Sequence, residues 1–157
     1  MGKFYESICE ELSLWVRQMA WLSAVPEKTN PKDKREPVSR IDAMKAMGED
    51  PLLPPNPASY LTDWLFEIGP TVPTGMGAVP ITFGDMIDWQ AVVGVEILPW
   101  EARVLRRLSI AYVNESYRAT KADCPLPYTG TSEEVVSNRD KVSRQLSAMF
   151  SGLRKKG

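Results

Sequence analysis

Histidine is absent from this 157-residue chain, and cysteine is scarce. Without histidine, the chain lacks the commonest general base and the commonest metal ligand. Its two cysteines, Cys9 and Cys124, form no CxxC pair, so a structural zinc site is not expected. The sequence also contains no phosphate-binding loop and no GxSxG nucleophile turn. We therefore predict a protein that is not an enzyme and that uses no metal and no cofactor.

Long apolar runs and a strong net charge are also missing. No apolar stretch approaches the ~18 residues of a membrane span, and the N-terminus has no signal-peptide core. The net charge of −1 gives no overall electrostatic reason to bind nucleic acid or an acidic membrane. The hydrophobic fraction of 43% is that of an ordinary globular chain, which argues against global disorder. We expect a soluble protein of the cytoplasm.

Apolar residues recur at helical spacing in segments that proline and glycine separate. Three starts have clear signals: Asn56 as an N-cap before a proline, Thr82 with an acidic residue three positions on, and Pro99 as a first helical residue. Strand signals are weak, and the stretch 70–79 is interpreted as an exposed, flexible loop. The predicted helices span about residues 4–23, 39–47, 57–68, 82–93, 99–122 and 132–153.

These elements predict an all-α fold with a compact central helical domain and flanking helical arms on proline-rich connectors. The central domain covers residues 56–122. Residues 1–25 form an N-terminal amphipathic helix, and residues 26–55 form a charged, proline-rich linker that holds a short helix. Residues 123–157 supply a C-terminal helix with a basic tail.

The two terminal helices each carry an apolar stripe, and each stripe is interpreted as ordinary core or as a face that binds a partner. Trp15 and Trp21 lie about 120° apart around the first helix, so we expect that one of them does not reach the core. The candidate partner-binding residues are Phe4, Ile8, Leu12, Trp15, Met19 and Leu22 in the first helix and Val142, Leu146, Met149 and Phe150 in the last.

Aromatic residues are the most informative feature of the central domain. Tryptophan is seldom fully buried and is enriched at interface hot spots. We expect the three central tryptophans to pack on one another in the core, with an interface role as the alternative. The candidate core or interface residues are Tyr60, Trp64, Trp89, Trp100 and Tyr112.

One cluster of cations leaves a second partner class open. Arg103, Arg106 and Arg107 share one side of the predicted helix 99–122, where they suit either contact with phosphates or exposure to water. Glu101 and Glu115 are nearby in sequence, which favours the solvated face. A nucleic-acid partner is therefore not the leading expectation.

The stretch from Tyr60 to Tyr117 resembles the tail-assembly chaperones of long-tailed bacteriophages. The resemblance covers little more than a third of the chain, and neither the segment before it nor the last helix matches the family. The order of motifs that carries it is Tyr60-Leu61-Thr62-Asp63-Trp64, a Gly/Pro loop, Pro80-Ile81-Thr82-Phe83, Ile87-Asp88-Trp89, Gly94, Leu98-Pro99-Trp100-Glu101, Leu108 and Ala111-Tyr112.

The resemblance implies a viral, non-enzymatic protein of the host cytoplasm. Such chaperones bind the tape-measure protein, recruit tail-tube subunits to it and usually leave before the virion is complete. One alternative is a structural virion component, such as a head–tail connector or a tail-completion subunit that forms a ring, and homo-oligomers fit it. A further alternative is a phage-encoded inhibitor of a host protein or a small nucleic-acid binder.

Overall fold

A computed structural model describes residues 2–130, which form five helices and one β-hairpin. The described part of the chain is mostly helical, as predicted, and none of its helices is long and apolar enough to cross a membrane. The predicted helix 132–153 lies outside the described residues. The helices are α1 (Gly2–Ser23), α2 (Arg40–Ala46), α3 (Ser59–Ile68), α4 (Phe83–Val93) and α5 (Pro99–Arg118), and the strands are β1 (Val72–Thr74) and β2 (Gly77–Val79).

Local capping signals fix most of the helix ends. The Ser39 side chain accepts a hydrogen bond from the Asp42 amide at the start of α2. Thr82 and Asp85 form the predicted capping box at the start of α4, and Gly94 ends that helix in the left-handed conformation. Pro99 begins α5. These boundaries are therefore set by residues within a few positions of each helix end.

The start of α3 corrects the sequence prediction by two residues. The helix begins at Ser59 after Ala58, and Asn56 is not its cap. Instead, the Asn56 side-chain oxygen accepts a hydrogen bond from the Ala58 amide at 3.2 Å, and its amide group donates to Thr62 Oγ1 at 2.9 Å. Asn56 thus closes a turn in front of the helix and ties that turn to the first helical residues.

Helices α1 and α5 lie side by side and run in the same direction. Glu6 in the first half of α1 pairs with Arg107 in the middle of α5 at 3.4 Å, and further along both helices Arg17 pairs with the buried Glu115 at 3.8 Å. The apolar side of α1 contributes to the same core as α3, α5 and Ile81. This packing corrects the prediction that residues 1–25 form an arm flanking a separate central domain. The buried apolar residues of α1 are Cys9, Leu12, Trp15, Val16, Met19, Ala20 and Leu22.

Buried polar side chains tie the irregular segments to this helix pair. Gln18 of α1 is fully buried, donates to the Leu52 carbonyl at 2.9 Å and accepts from the Tyr128 amide at 3.1 Å. Arg40, the first residue of α2, donates to the carbonyl oxygens of Trp21 and Lys121. Segments from three regions of the chain therefore meet at the C-terminal end of α1.

The segment 72–79 is a β-hairpin, which corrects the prediction of a flexible loop. β1 and β2 pair antiparallel, with Val72 opposite Val79 and Thr74 opposite Gly77. Ser109 of α5 joins the two ends of this segment, because its hydroxyl donates to the Pro70 carbonyl and accepts from the Ile81 amide. The hairpin is thus fixed to α5 through buried hydrogen bonds that the local sequence does not reveal.

Candidate protein-binding surface

Residues 2–130 contain no group of His, Cys, Asp and Glu side chains that is suited to hold a metal ion. Both cysteines are free thiols; Cys9 is buried and Cys124 is half-buried. Residues 2–130 also include several exposed apolar side chains on the hairpin, α4 and α5. This exposed apolar area is the candidate site.

Helix α4 is mostly apolar, with Asp85, Asp88 and Gln90 as its polar members, yet it buries only Met86 completely. Apolar residues of a helix normally form a stripe that packs against a neighbouring element. Here Phe83 and Ile87, one turn apart, are exposed by 49% and 63%. Ala91 continues the same exposed stripe one turn later. Beyond the stripe, Val92 near the end of α4 is 86% exposed.

The buried side of α4 is held by aromatic and polar contacts. Trp89 packs on Trp64 of α3, with ring centroids 5.8 Å apart. At the start of the helix, the Arg106 guanidinium donates to the Ile81 carbonyl and lies 5.9 Å from the centre of the Phe83 ring. These contacts fix the position of α4, so its exposed stripe is presented on a defined scaffold.

The hairpin extends the exposed apolar area along α5. Tyr117 of α5 donates its hydroxyl to the Ala78 carbonyl at 2.8 Å, which places the turn of the hairpin over the C-terminal part of the helix. At that turn Met76 is almost fully exposed, and Val79 on β2 is 41% exposed. The hairpin therefore carries apolar side chains outward instead of burying them.

Two residues of α5 join the hairpin and α4 into one area. Arg106, Ile110 and Tyr117 are four and eleven positions apart, so they lie within about 40° of one another around the helix. Ile110 and Tyr117 are both exposed. We call the combined area the hairpin–α4 surface. Its members are Met76, Val79, Phe83, Ile87, Ile110 and Tyr117.

Burial shifts the pKa values of ionisable side chains on α3. Burial, together with the hydrogen bond that the Tyr60 hydroxyl donates to the Glu101 carboxylate, raises the pKa of Tyr60 to about 12. Burial also raises the pKa of Asp63. Glu101 is itself buried and accepts a hydrogen bond from the Leu98 amide at 2.8 Å. This carboxylate therefore joins Tyr60 to the start of α5.

The predicted partner-binding stripe of α1 is mostly core. Phe4 is 69% exposed and Ile8 is half-buried, but the four residues that follow them in the stripe are at most 2% exposed. Their apolar groups pack within this chain, which corrects the expectation that they face a partner. The four buried residues are Leu12, Trp15, Met19 and Leu22.

The tryptophans of α1 differ in burial, and both contact the core. Trp15 is buried against Phe66, with ring centroids 6.1 Å apart. Trp21 is half-buried and donates its indole N–H to the Cys124 carbonyl at 2.9 Å. The Arg40 guanidinium stacks 4.5 Å from the centre of the Trp21 ring. Contacts within the chain thus account for the tryptophan that is only half-buried.

The central aromatic residues lie between the core and the surface. Trp64 contacts both Trp89 and Tyr60, the second at 5.0 Å between ring centroids. Trp100 is partly buried against the core, as is Tyr112, which also packs on Phe66 at 5.7 Å. The expected contact among the central tryptophans is present between Trp64 and Trp89.

The predicted basic cluster is partly engaged in contacts within the chain. Arg106 is bound to the Ile81 carbonyl and Arg107 pairs with Glu6, whereas Arg103 is exposed. The second predicted partner-binding face lies outside the described residues, so its interpretation stays a prediction. Its members are Val142, Leu146, Met149 and Phe150.

Sequence reasoning missed most of the hairpin–α4 surface. The local signal that was present is the apolar composition of α4, in which Phe83, Ile87 and Ala91 recur at helical spacing. Nothing local marks Ile110 and Tyr117 as exposed, because their exposure depends on where the hairpin lies on α5. Comparison of the chain with protein-family models, with curated proteins and with solved structures found no match.

Proposed function

We propose that this chain is a non-enzymatic protein that binds another protein through the hairpin–α4 surface. The observation that carries the proposal is the exposure of Phe83 and Ile87, which lie one turn apart on a mostly apolar helix that buries only Met86 completely. Contiguous apolar patches that rigid elements hold in water typically mark interaction sites. Each square ångström of apolar surface that a partner covers contributes about 25 cal/mol to binding, before the cost of association.

We further propose that the partner is a phage tail protein and that the chain acts as a tail-assembly chaperone. The stretch that resembles this family, Tyr60 to Tyr117, contains every member of the hairpin–α4 surface. A chaperone of this kind needs an apolar face that shields an aggregation-prone partner. Helices that bind in grooves present apolar residues at intervals of three and four, which match the spacing of the α4 stripe.

Co-expression with fragments of a tape-measure protein tests both proposals. We expect the chain to increase the soluble fraction of at least one fragment and to co-purify with it. Ile87→Asp should abolish this effect, because it places a charge at the centre of the apolar contact. The failure of the chain to solubilise or bind any fragment would exclude the chaperone role.

Met47→Asp provides the matched control for this experiment. Met47 is 68% exposed and lies at the C-terminal end of α2, away from the hairpin–α4 surface. The same change of chemistry there should leave the soluble fraction and the co-purification unchanged. Equal effects of the two substitutions would show that loss of solubility of the chain itself, rather than loss of a contact, explains the result.

A further inference from the structure

Helix α5 presents cations beside the apolar part of the hairpin–α4 surface. Arg103, Arg107 and Arg118 are spaced by four and eleven residues, so they form a row along the helix about 60° wide. Ile110 and Tyr117 lie next to this row on the side of the hairpin. The distance from the first arginine to the last is about 22 Å along the helix axis, which corresponds to four turns.

The two carboxylates of α5 neutralise the positive charge of this row only in part. Glu101 and Glu115 are both buried and face the interior. Glu115 pairs with Arg118 at 2.6 Å, and Glu6 of α1 pairs with Arg107 at 3.4 Å, but the Arg118 and Arg107 side chains remain 61% and 45% exposed. The exposed side of α5 therefore combines apolar and positive groups without an exposed carboxylate of its own.

We infer that this face of α5 binds an acidic amphipathic helix of the partner protein. The apolar stripe of that helix would cover Ile110 and Tyr117, and its carboxylates would lie against Arg103 and Arg118. Arginine pairs favourably with carboxylates in partly desolvated sites because its planar guanidinium donates two parallel hydrogen bonds. The inference rests on the protein-binding part of the proposed function and adds the chemistry of the partner.

Charge and apolar complementarity argue against other binding partners for this face of α5. The segment 131–157 of the same chain contains six Lys or Arg and only three Asp or Glu, so it matches the sign of the row rather than opposing it. A second copy in a twofold arrangement would bring the same arginines together. Nucleic acid would satisfy the arginines but would leave Ile110 and the neighbouring Phe83 without an apolar counterpart.

Fluorescence anisotropy with synthetic peptides tests this inference on the full chain. The probe is a helix of about 18 residues with a leucine stripe and glutamates elsewhere, long enough to span the row. Its counterpart carries lysine in place of each glutamate. We expect the acidic peptide to bind about tenfold more tightly or better, and the difference to shrink as salt is raised.

Two substitutions locate the binding site. Arg103→Glu should weaken binding of the acidic peptide about tenfold by reversing one charge of the row, and Ile110→Asp should weaken it at least as much. Lys34→Glu in the exposed linker and Met47→Asp on α2 are the matched controls and should change neither the affinity nor the circular dichroism spectrum. Unchanged affinity in both Arg103→Glu and Ile110→Asp would overturn the inference, as would tighter binding of a short DNA duplex than of the acidic peptide.

The solubility and peptide-binding experiments distinguish failure of this inference from failure of the proposed function. If tape-measure fragments are solubilised and Ile87→Asp prevents it while Arg103→Glu has no effect, the chaperone role stands and the acidic partner helix is excluded. If the acidic peptide binds as expected and no fragment is solubilised, the peptide site stands and the chaperone role is excluded.

Discussion

At the scale of single residues, Arg40 joins the C-terminal ends of two helices. Its guanidinium donates to the Trp21 carbonyl at 3.1 Å and to the Lys121 carbonyl at 2.9 Å, just after α5. Burial lowers the pKa of Arg40, but an arginine remains charged at neutral pH. Carbonyl groups at helix C-termini carry partial negative charge and lack partners within the helix, so this buried cation satisfies both ends.

Replacing this arginine should therefore destabilise the fold strongly. We expect Arg40→Met to lower the free energy of unfolding by about 2–4 kcal/mol, because two charged hydrogen bonds are lost and two carbonyls lose their donor. Urea unfolding measures the change. Arg35→Met is the control: the Arg35 side chain is 88% exposed and pairs with Asp33 within the same linker, so its loss should leave the midpoint unchanged. Similar effects of the two substitutions would contradict this role of Arg40.

Gly77 is required by both conformation and space. Its φ is +111°, which favours glycine, and an added Cβ would lie 2.5 Å from the Tyr117 hydroxyl oxygen. Gly77→Ala should lower the free energy of unfolding by about 1–3 kcal/mol in urea unfolding. Gly75→Ala is the matched control, because nothing lies within 4 Å of its added Cβ. A stability loss as large at Gly75 would show that the contact with Tyr117 is unimportant.

Tyr60 predicts a dependence of stability on alkaline pH. Burial first, and then the hydrogen bond to Glu101, raise its pKa from 10.0 to about 12. The folded state therefore favours the protonated tyrosine; this contribution is complete below pH 10 and is lost as pH rises through about 12. We expect the free energy of unfolding of the Tyr60→Phe variant to lack this decrease at alkaline pH. Titration of phenolate absorbance should show one tyrosine fewer near pH 12, and a variant profile identical to that of the parent would contradict the assignment.

At the scale of elements, the sequence predicted the helix ends that local capping interactions determine. The capping box at Thr82 and the proline at the start of α5 each act within one turn of the helix, and the structure confirms both. The hairpin was missed because its strands are three residues long and contain Pro73 and Gly77. Its stability comes from Ser109 and Tyr117, which are distant in sequence.

The capping box of α4 can be tested directly. Thr82 accepts a hydrogen bond from the Asp85 amide, and the Asp85 carboxylate accepts one from the Thr82 amide at 2.7 Å. We expect Thr82→Ala to lower the free energy of unfolding by about 1 kcal/mol in urea unfolding. Thr82→Ser keeps the hydroxyl and should retain most of the stability, so an equal loss in both variants would contradict the capping role.

At the scale of the whole molecule, the error about α1 shows why sequence alone misplaced the site. The stripe of α1 fits a buried face and a binding face equally well, since both need apolar residues at helical spacing. Its packing partners lie mainly in α5, about a hundred residues along the chain, and spacing within α1 carries no information about them. The same distance in sequence hid the exposure of Ile110 and Tyr117.

The hairpin–α4 surface is exposed because the hairpin and α4 pack against few other elements. α1 and α5 pack against one another along much of their length, whereas α4 contacts α3 through Trp89 and Trp64, contacts α5 through Phe83 and Arg106, and buries only one side chain completely. The apolar composition of α4 is therefore greater than folding of the described residues requires. We interpret this excess as the part of the sequence that serves binding.

Hydrogen–deuterium exchange on the complex with a solubilised tape-measure fragment tests the central claim most directly. The account predicts that binding slows exchange in 72–79 and 83–93, which form the hairpin and α4, and leaves exchange in α2 unchanged. Protection confined to α1 or α2, with the hairpin and α4 exchanging as in the free chain, would contradict the claim that the hairpin–α4 surface is the binding site.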